Sequence, residues 1–223
     1  MNKLFDLNSP HMIFLSRLAD LVILSIWWFV CCIPIVTIGP ASSALYYVAL
    51  KIVRKEEIRV TECFFKGFRE NFKQGVAYSF IFVILLAVLF FDYTFTAGIE
   101  GMVGTVCGVS FFVLGVWTLC TMFYTFPLQA QFYNTVKQTL INGMILSARK
   151  FFTTIGLFVM NMIPVFMAFV SFAVFVQLAP VWVLFWPGFS AWVCSLLLVK
   201  IFDPLIDAST KKNNPDENED EDE

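Results

Sequence analysis

Charge is scarce in this chain: 14% of its 223 residues are Asp, Glu, Lys or Arg, against roughly 25% in an ordinary soluble domain. Histidine is scarcer still, with His11 standing alone. The first shortage excludes a plain soluble domain. With 59% apolar residues, 27 phenylalanines and a mean hydropathy of +0.77, too few polar side chains remain to coat a core. Lipid must be the solvent for much of the chain. The second shortage leaves no Cys/His cluster with metal-ligand spacing and no imidazole to act as base for a buried Ser or Cys. The sequence also lacks G-x-x-x-x-G-K-[ST], H-E-x-x-H and G-x-S-x-G, so an ABC nucleotide-binding subunit is excluded. No catalytic, cofactor-binding or metal residue is assigned, and no enzyme is expected. Asp20, Asp92 and Asp203 are the only acids open to a reaction on lipid or a lipid-linked sugar.

Five of the six cysteines (Cys31, Cys32, Cys107, Cys120, Cys194) lie inside apolar runs and no C-x-x-C occurs, so they read as small buried hydrophobes. Net charge is −2, yet Asp216, Glu217, Glu219, Asp220, Glu221, Asp222 and Glu223 fall in the last eight positions. Without them 15 basic residues face 10 acidic ones. The stretch 206–223 is read as a disordered acidic tail on a basic membrane domain, 1–205.

A membrane-spanning helix needs about 20 apolar residues. Segments at about 75–95, 102–126, 153–176 and 179–201 qualify, with every charge at or beyond an end. The first apolar region, 18–53, is interrupted by Pro34 and by Gly39-Pro40, which predict a broken hairpin. Its first run is too long for the usual signal-peptide core, and Asp6 and Asp20 flank it, so it reads as a retained span. Lys51, Arg54, Lys55, Arg59, Lys66, Arg69 and Lys73 crowd 51–74, whereas 92–101 has none. That bias puts 51–74, 127–152 and the C-terminus in the cytoplasm. One span at 18–38 leaves the N-terminus outside; a returning short or re-entrant helix at 41–53 brings it inside, which also suits Lys3 and Arg17.

Within 60–74, Phe65, Phe68 and Phe72 recur at helical spacing beside Lys66, Arg69 and Lys73, the pattern of an amphipathic helix lying in the interface. Arg149-x-x-Phe152, 80 residues after Arg69-x-x-Phe72, again precedes an apolar hairpin. This suggests a degenerate repeat, although any helix entering lipid from the cytoplasm favours Arg and Phe at that depth. Basic residues among phenylalanines beside spans suit anionic headgroups, and no nucleic-acid partner is expected.

Pro34-Ile35-Val36-Thr37-Ile38-Gly39-Pro40-Ala41 with Ala44-Leu45-Tyr46-Tyr47, followed by Phe68-Arg69-Glu70-Asn71-Phe72-Lys73-Gln74, resembles the bacterial YesL family of integral membrane proteins of unknown function. The resemblance covers about residues 1–205. It implies an accessory or regulatory role beside a carbohydrate importer of the ABC type, whose permease subunits would be partners, and a place in the cytoplasmic membrane. It carries no catalytic residue over, and the acidic tail lies outside it.

The fold class expected is therefore all-α, a polytopic transmembrane bundle with amphipathic cytoplasmic helices. Pro34, Thr37, Gly39 and Pro40 mark a break that either lines a small cavity or forms a structural turn, with Ser42 or Ser43 as a cap. Arg69, Asn71 and Phe72 carry the second motif. Asn161, one turn before Pro164, is helix-packing glue or a solute contact. Gly104-x-x-x-Gly108 serves internal packing or a homo-oligomer. A proton-coupled pump is disfavoured by the lack of charge inside the four later spans. A small-solute transporter or channel past Thr37, Gly39 and Asn161 is the second reading.

Overall fold

Inside a bilayer a backbone has no water to bond, so an apolar segment satisfies its N–H and C=O groups by becoming a helix. The structure, a computed structural model, describes residues 10–96 and 98–213. Among these the chain is all-α: α1 Pro10–Cys32, α2 Ile38–Val53, α3 Val60–Glu70, α4 Phe72–Thr96, α5 Met102–Gln131, α6 Val136–Arg149, α7 Phe151–Val170, α8 Phe172–Gln177, α9 Ala179–Leu184 and α10 Trp186–Asn213. Six stretches are long and apolar enough to cross a membrane: Leu15–Cys32, Ile35–Val53, Phe72–Thr96, Met102–Gln131, Phe151–Val170 and Trp186–Ile206. This is the organisation of a multi-pass membrane protein.

The break in the first region is narrower than the prolines suggest. A 3₁₀ turn at Ile35–Thr37 separates α1 from α2, and Gly39 and Pro40 lie inside the first turn of α2. A helix's first turn has no partner for its N–H groups, so a proline there removes nothing. The interruption thus belongs to Pro34, whose backbone is extended.

Farther on, the expected spans 153–176 and 179–201 are displaced. α7 ends at Val170 with Ser171 extended, α8 and α9 are six residues each, and α10 starts at Trp186. Pro180 and Pro187 each sit within the first two residues of a new helix, the position proline favours. Hydropathy misses these joints because both sides are equally apolar. α10 continues to Asn213, so the first residues of the stretch read as a tail are helical. The acidic run 216–223 lies outside the described residues.

α2 is the hub. Of its span 61% is buried inside the protein, against 11–39% for the other five. Its first turn meets α4 through two glycines: a Cβ on Gly75 would stand 2.6 Å from the Pro40 nitrogen, and one on Gly39 would strike the Gly75 carbonyl oxygen. Its middle is bonded to Gln129 of α5, and Arg54 at its end to Gln131. α2 therefore packs against the start of α4 and the end of α5. On its other side Arg54 pairs with Asp203 of α10 at 2.8 Å.

The two halves share a local element order, although the second apolar hairpin expected after the short helix is broken into α7 to α10. α2, α3 and α4 form an apolar helix, a short polar-faced helix packed back on it, and a second apolar helix entered through one residue, Asn71. α5, α6 and α7 follow the same plan through Lys150. Each short helix packs through a glycine: Gly67 against the Tyr47 ring, and Gly143 against Thr121 and Thr125.

Replacing Gly75 with Ala should overpack the α2–α4 crossing and cost about 1–3 kcal/mol, read as a fall in Tm of the detergent-purified protein. Gly115→Ala, where a Cβ meets nothing within 4 Å, should leave Tm unchanged.

Candidate functional site

The break at Pro34 is closed by its own side chain chemistry. Thr37 Oγ1 lies 2.6 Å from the Cys31 carbonyl and 2.7 Å from that of Pro34, so the hydroxyl stitches the end of α1 to the turn. The Gly39 N–H donates to Ser79 Oγ of α4 at 2.9 Å. Thr37, Gly39 and Pro40 are therefore engaged in helix joining and do not line a cavity among those described. Neither serine caps α2, whose N-cap is Thr37 without a side-chain bond. Ser42 Oγ accepts from Trp28 Nε1 at 3.3 Å, and Ser43 donates to Gln129 Oε1 at 2.6 Å. Pro34 itself is exposed.

The second motif leads into the same network. Gln129 is buried, and its Nε2 donates to the Asn71 carbonyl at 3.0 Å. The Asn71 amide in turn donates to the Gly67 carbonyl at 3.0 Å, closing α3. One chain of bonds thus runs from α2 through α5 to the α3–α4 joint. Its residues are neutral, and each hydrogen bond removes a polar group that would otherwise be costly in a dry interior. Gln129 was not singled out in the sequence, and Ser43 only as a candidate cap. The available signal was Gln129 itself, an amide at the end of an apolar run.

α3 packs on α2 and α1. Phe64 is completely buried against α2, Phe65 packs edge-on to Trp27 of α1 at 4.8 Å, and Trp27 Nε1 donates to Thr61 at 3.1 Å. Of the expected apolar face, Phe65 and Phe68 are half-buried and Phe72 is exposed at 40%. Thr61, Glu62, Lys66, Arg69 and Glu70 remain exposed on a helix fixed at its back. Burial pushes the Cys63 thiol above its ordinary value, with Lys51 pulling the other way less strongly, which keeps it a thiol at neutral pH. All six cysteines are free.

Asn161 lies beside a cavity of about 280 Å³. Trp28, Ser42, Tyr46, Phe126, Pro164 and Ser190 are among its walls, bringing α1, α2, α5, α7 and α10 together. The amide donates to the Leu157 carbonyl at 2.8 Å and stands 3.7 Å from Cys194 Sγ of α10. Its first job is joining α7 to α10, and the carbonyl it serves is one turn before Asn161, not the one freed by Pro164. Arg17 reaches the Ile52 carbonyl at 3.4 Å. Gly104 is occupied within its own hairpin, where a Cβ would strike the Ile99 carbonyl. Among the described residues no three His, Cys, Asp or Glu side chains converge as metal ligands.

The model of a family described as a protein of unknown function, DUF624, matches residues 21–93. That stretch holds the α1–α2 turn, the Gly39–Gly75 crossing, all of α3 and most of α4, but not Asn161 or Gln129. Neither curated proteins nor solved structures offer a match.

Gln129→Leu should leave the buried Ser43 hydroxyl without its acceptor, at about 1–3 kcal/mol, while the Asn71 carbonyl keeps the Gly75 N–H. Urea or thermal unfolding in detergent would register it, and adding Ser43→Ala to that variant should cost little more, because the partner is already gone.

Proposed function

We propose that the protein is a non-catalytic accessory or regulatory partner of an ABC-type carbohydrate importer in the bacterial cytoplasmic membrane. The observation that carries the reading is α3: a polar helix bolted to the bundle through Phe64, Gly67 and Thr61, presenting Lys66, Arg69 and Glu70 outward. A fixed charged surface suits docking better than a floating one, because less side-chain and helix freedom is lost on binding. The likeness to YesL-like proteins supplies the importer as partner class. The interior polar groups support the same reading, since Ser43, Gln129, Asn71, Gly39 and Ser79 bond one another. In this reading α3, α6 and the end of α10 face the cytoplasm, as their basic residues require.

The Asn161 cavity favours one alternative, a small-solute path. Flux through liposomes containing this protein alone would support it, and flux unchanged by Asn161→Leu would take that residue out of the path.

Mild-detergent capture of the tagged protein from its native membrane should recover permease subunits in near-equal amount, measured by mass spectrometry. Lys66→Glu with Arg69→Glu should reduce that recovery severalfold without lowering Tm, both side chains being exposed. Recovery of the protein alone would defeat the partner reading. For orientation, a cysteine at Glu57 should react with an impermeant maleimide only in opened cells, and one at Gly98 in intact cells.

A further inference from the structure

Where α6 meets α7, Arg149 and Lys150 stand opposite Lys200 of α10 across a groove of about 470 Å³. Leu146, Ile201 and Leu205 supply the apolar part of its wall. Lys200 belongs to the apolar span Trp186–Ile206, although its charge lies where an apolar solvent is expected. A cation inside a span is costly unless it has a partner. Among the described ion pairs none involves Arg149, Lys150 or Lys200, and the nearby Asp203 is held by Arg54. The long side chains can snorkel toward headgroup level, bringing three positive charges to one groove. Directly beside it Phe151 and Phe152 are exposed at 64% and 89%, apolar rings turned outward at the start of α7, where acyl chains lie.

The geometry points to a binding site for an anionic phospholipid, its phosphate held by Arg149, Lys150 and Lys200 and its chains lying along Phe151, Phe152 and Leu205. Arg149 offers a planar fork to two phosphate oxygens, and the lysines act as point charges. A lipid rather than a free anion fits because one wall of the groove is apolar and lies at the membrane-facing start of a span. Basic grooves between spans on the cytoplasmic side select such headgroups, each Lys or Arg contributing about 1 kcal/mol. The site is separate from α3 and does not depend on what docks there.

Native mass spectrometry of the full-length protein, released from detergent with dioleoylphosphatidylglycerol or dioleoylphosphatidylcholine at equal concentration, tests this. The anionic lipid should be retained about tenfold more, and Lys150→Gln with Lys200→Gln should abolish the preference. Lys150→Arg with Lys200→Arg should keep it, as should Lys66→Gln on the other short helix with Lys73→Gln at the start of α4, and an unchanged Tm for every variant would show that all fold. Equal retention of the two lipids would overturn the site. So would a preference that survives in the Lys150/Lys200 glutamine variant, or one lost equally in the Lys66/Lys73 variant. Displacement of the lipid by excess glycerol phosphate as readily as by phosphatidylglycerol would replace the lipid assignment with a free-anion site.

Discussion

The backbone contact between Gly39 and Gly75 governs how the rest of the molecule can be arranged. With no side chain at either position, the first turn of α2 and the first turn of α4 approach until Pro40 lies against Gly75. Dispersion and short bonds, not the release of water, hold helices together in lipid, and both fall away steeply with distance. Bringing the backbones this close lets the Gly39 N–H reach Ser79. It also places Ser43, one turn on, at Gln129. A methyl group here would push apart both the crossing and the hydrogen-bonded chain behind it.

The burial of α2 begins at the same contact. A helix enclosed by α4, α5 and α10 must have its polar atoms matched internally. Ser42 finds Trp28, Ser43 finds Gln129, and Arg54 finds Gln131 and Asp203. The Arg54–Asp203 pair sits at the edge of the bundle with both groups partly exposed, where water lessens the cost of two charges. Around α2 the buried partners, Ser43 and Gln129, are neutral.

The class of fold was legible from the apolar runs, because lipid imposes a length that composition alone reveals. Broken helices were harder. Pro34 and Gly39-Pro40 look like equal breakers in the sequence, yet only Pro34 breaks, since a proline in a first turn costs no hydrogen bond. The joints at Ser171 and Phe185 were invisible, being apolar on both sides. Among candidate site residues, Asn161 stood out as an amide in an apolar context, and Asn71 came with the motif Phe68 to Gln74. For Thr37 the sequence left a cavity lining and a structural turn open, and its bonds to the Cys31 and Pro34 carbonyls are those of a turn. Gln129 was passed over although it carries the same signal, and the burial of Phe64 could not be read from spacing that suits Phe65, Phe68 and Phe72 equally well.

Which face of α3 turns inward decides more than packing. With Phe64 and Gly67 seated against α2 and Tyr47, the charged side is turned outward and held at a fixed angle by two helices. The second short helix is held likewise through Gly143 and the Trp117–Ser147 bond, and its end delivers Arg149 and Lys150 to α10. The two halves of the chain therefore use one device, a short helix fastened by a glycine to the apolar helix before it, for different ends. The first leaves Lys66 and Arg69 exposed; the second brings Arg149 and Lys150 to a groove shared with Lys200. The same fastening with a different placing of the cations explains why the two motifs, Arg69-x-x-Phe72 and Arg149-x-x-Phe152, look alike in sequence and differ in surroundings.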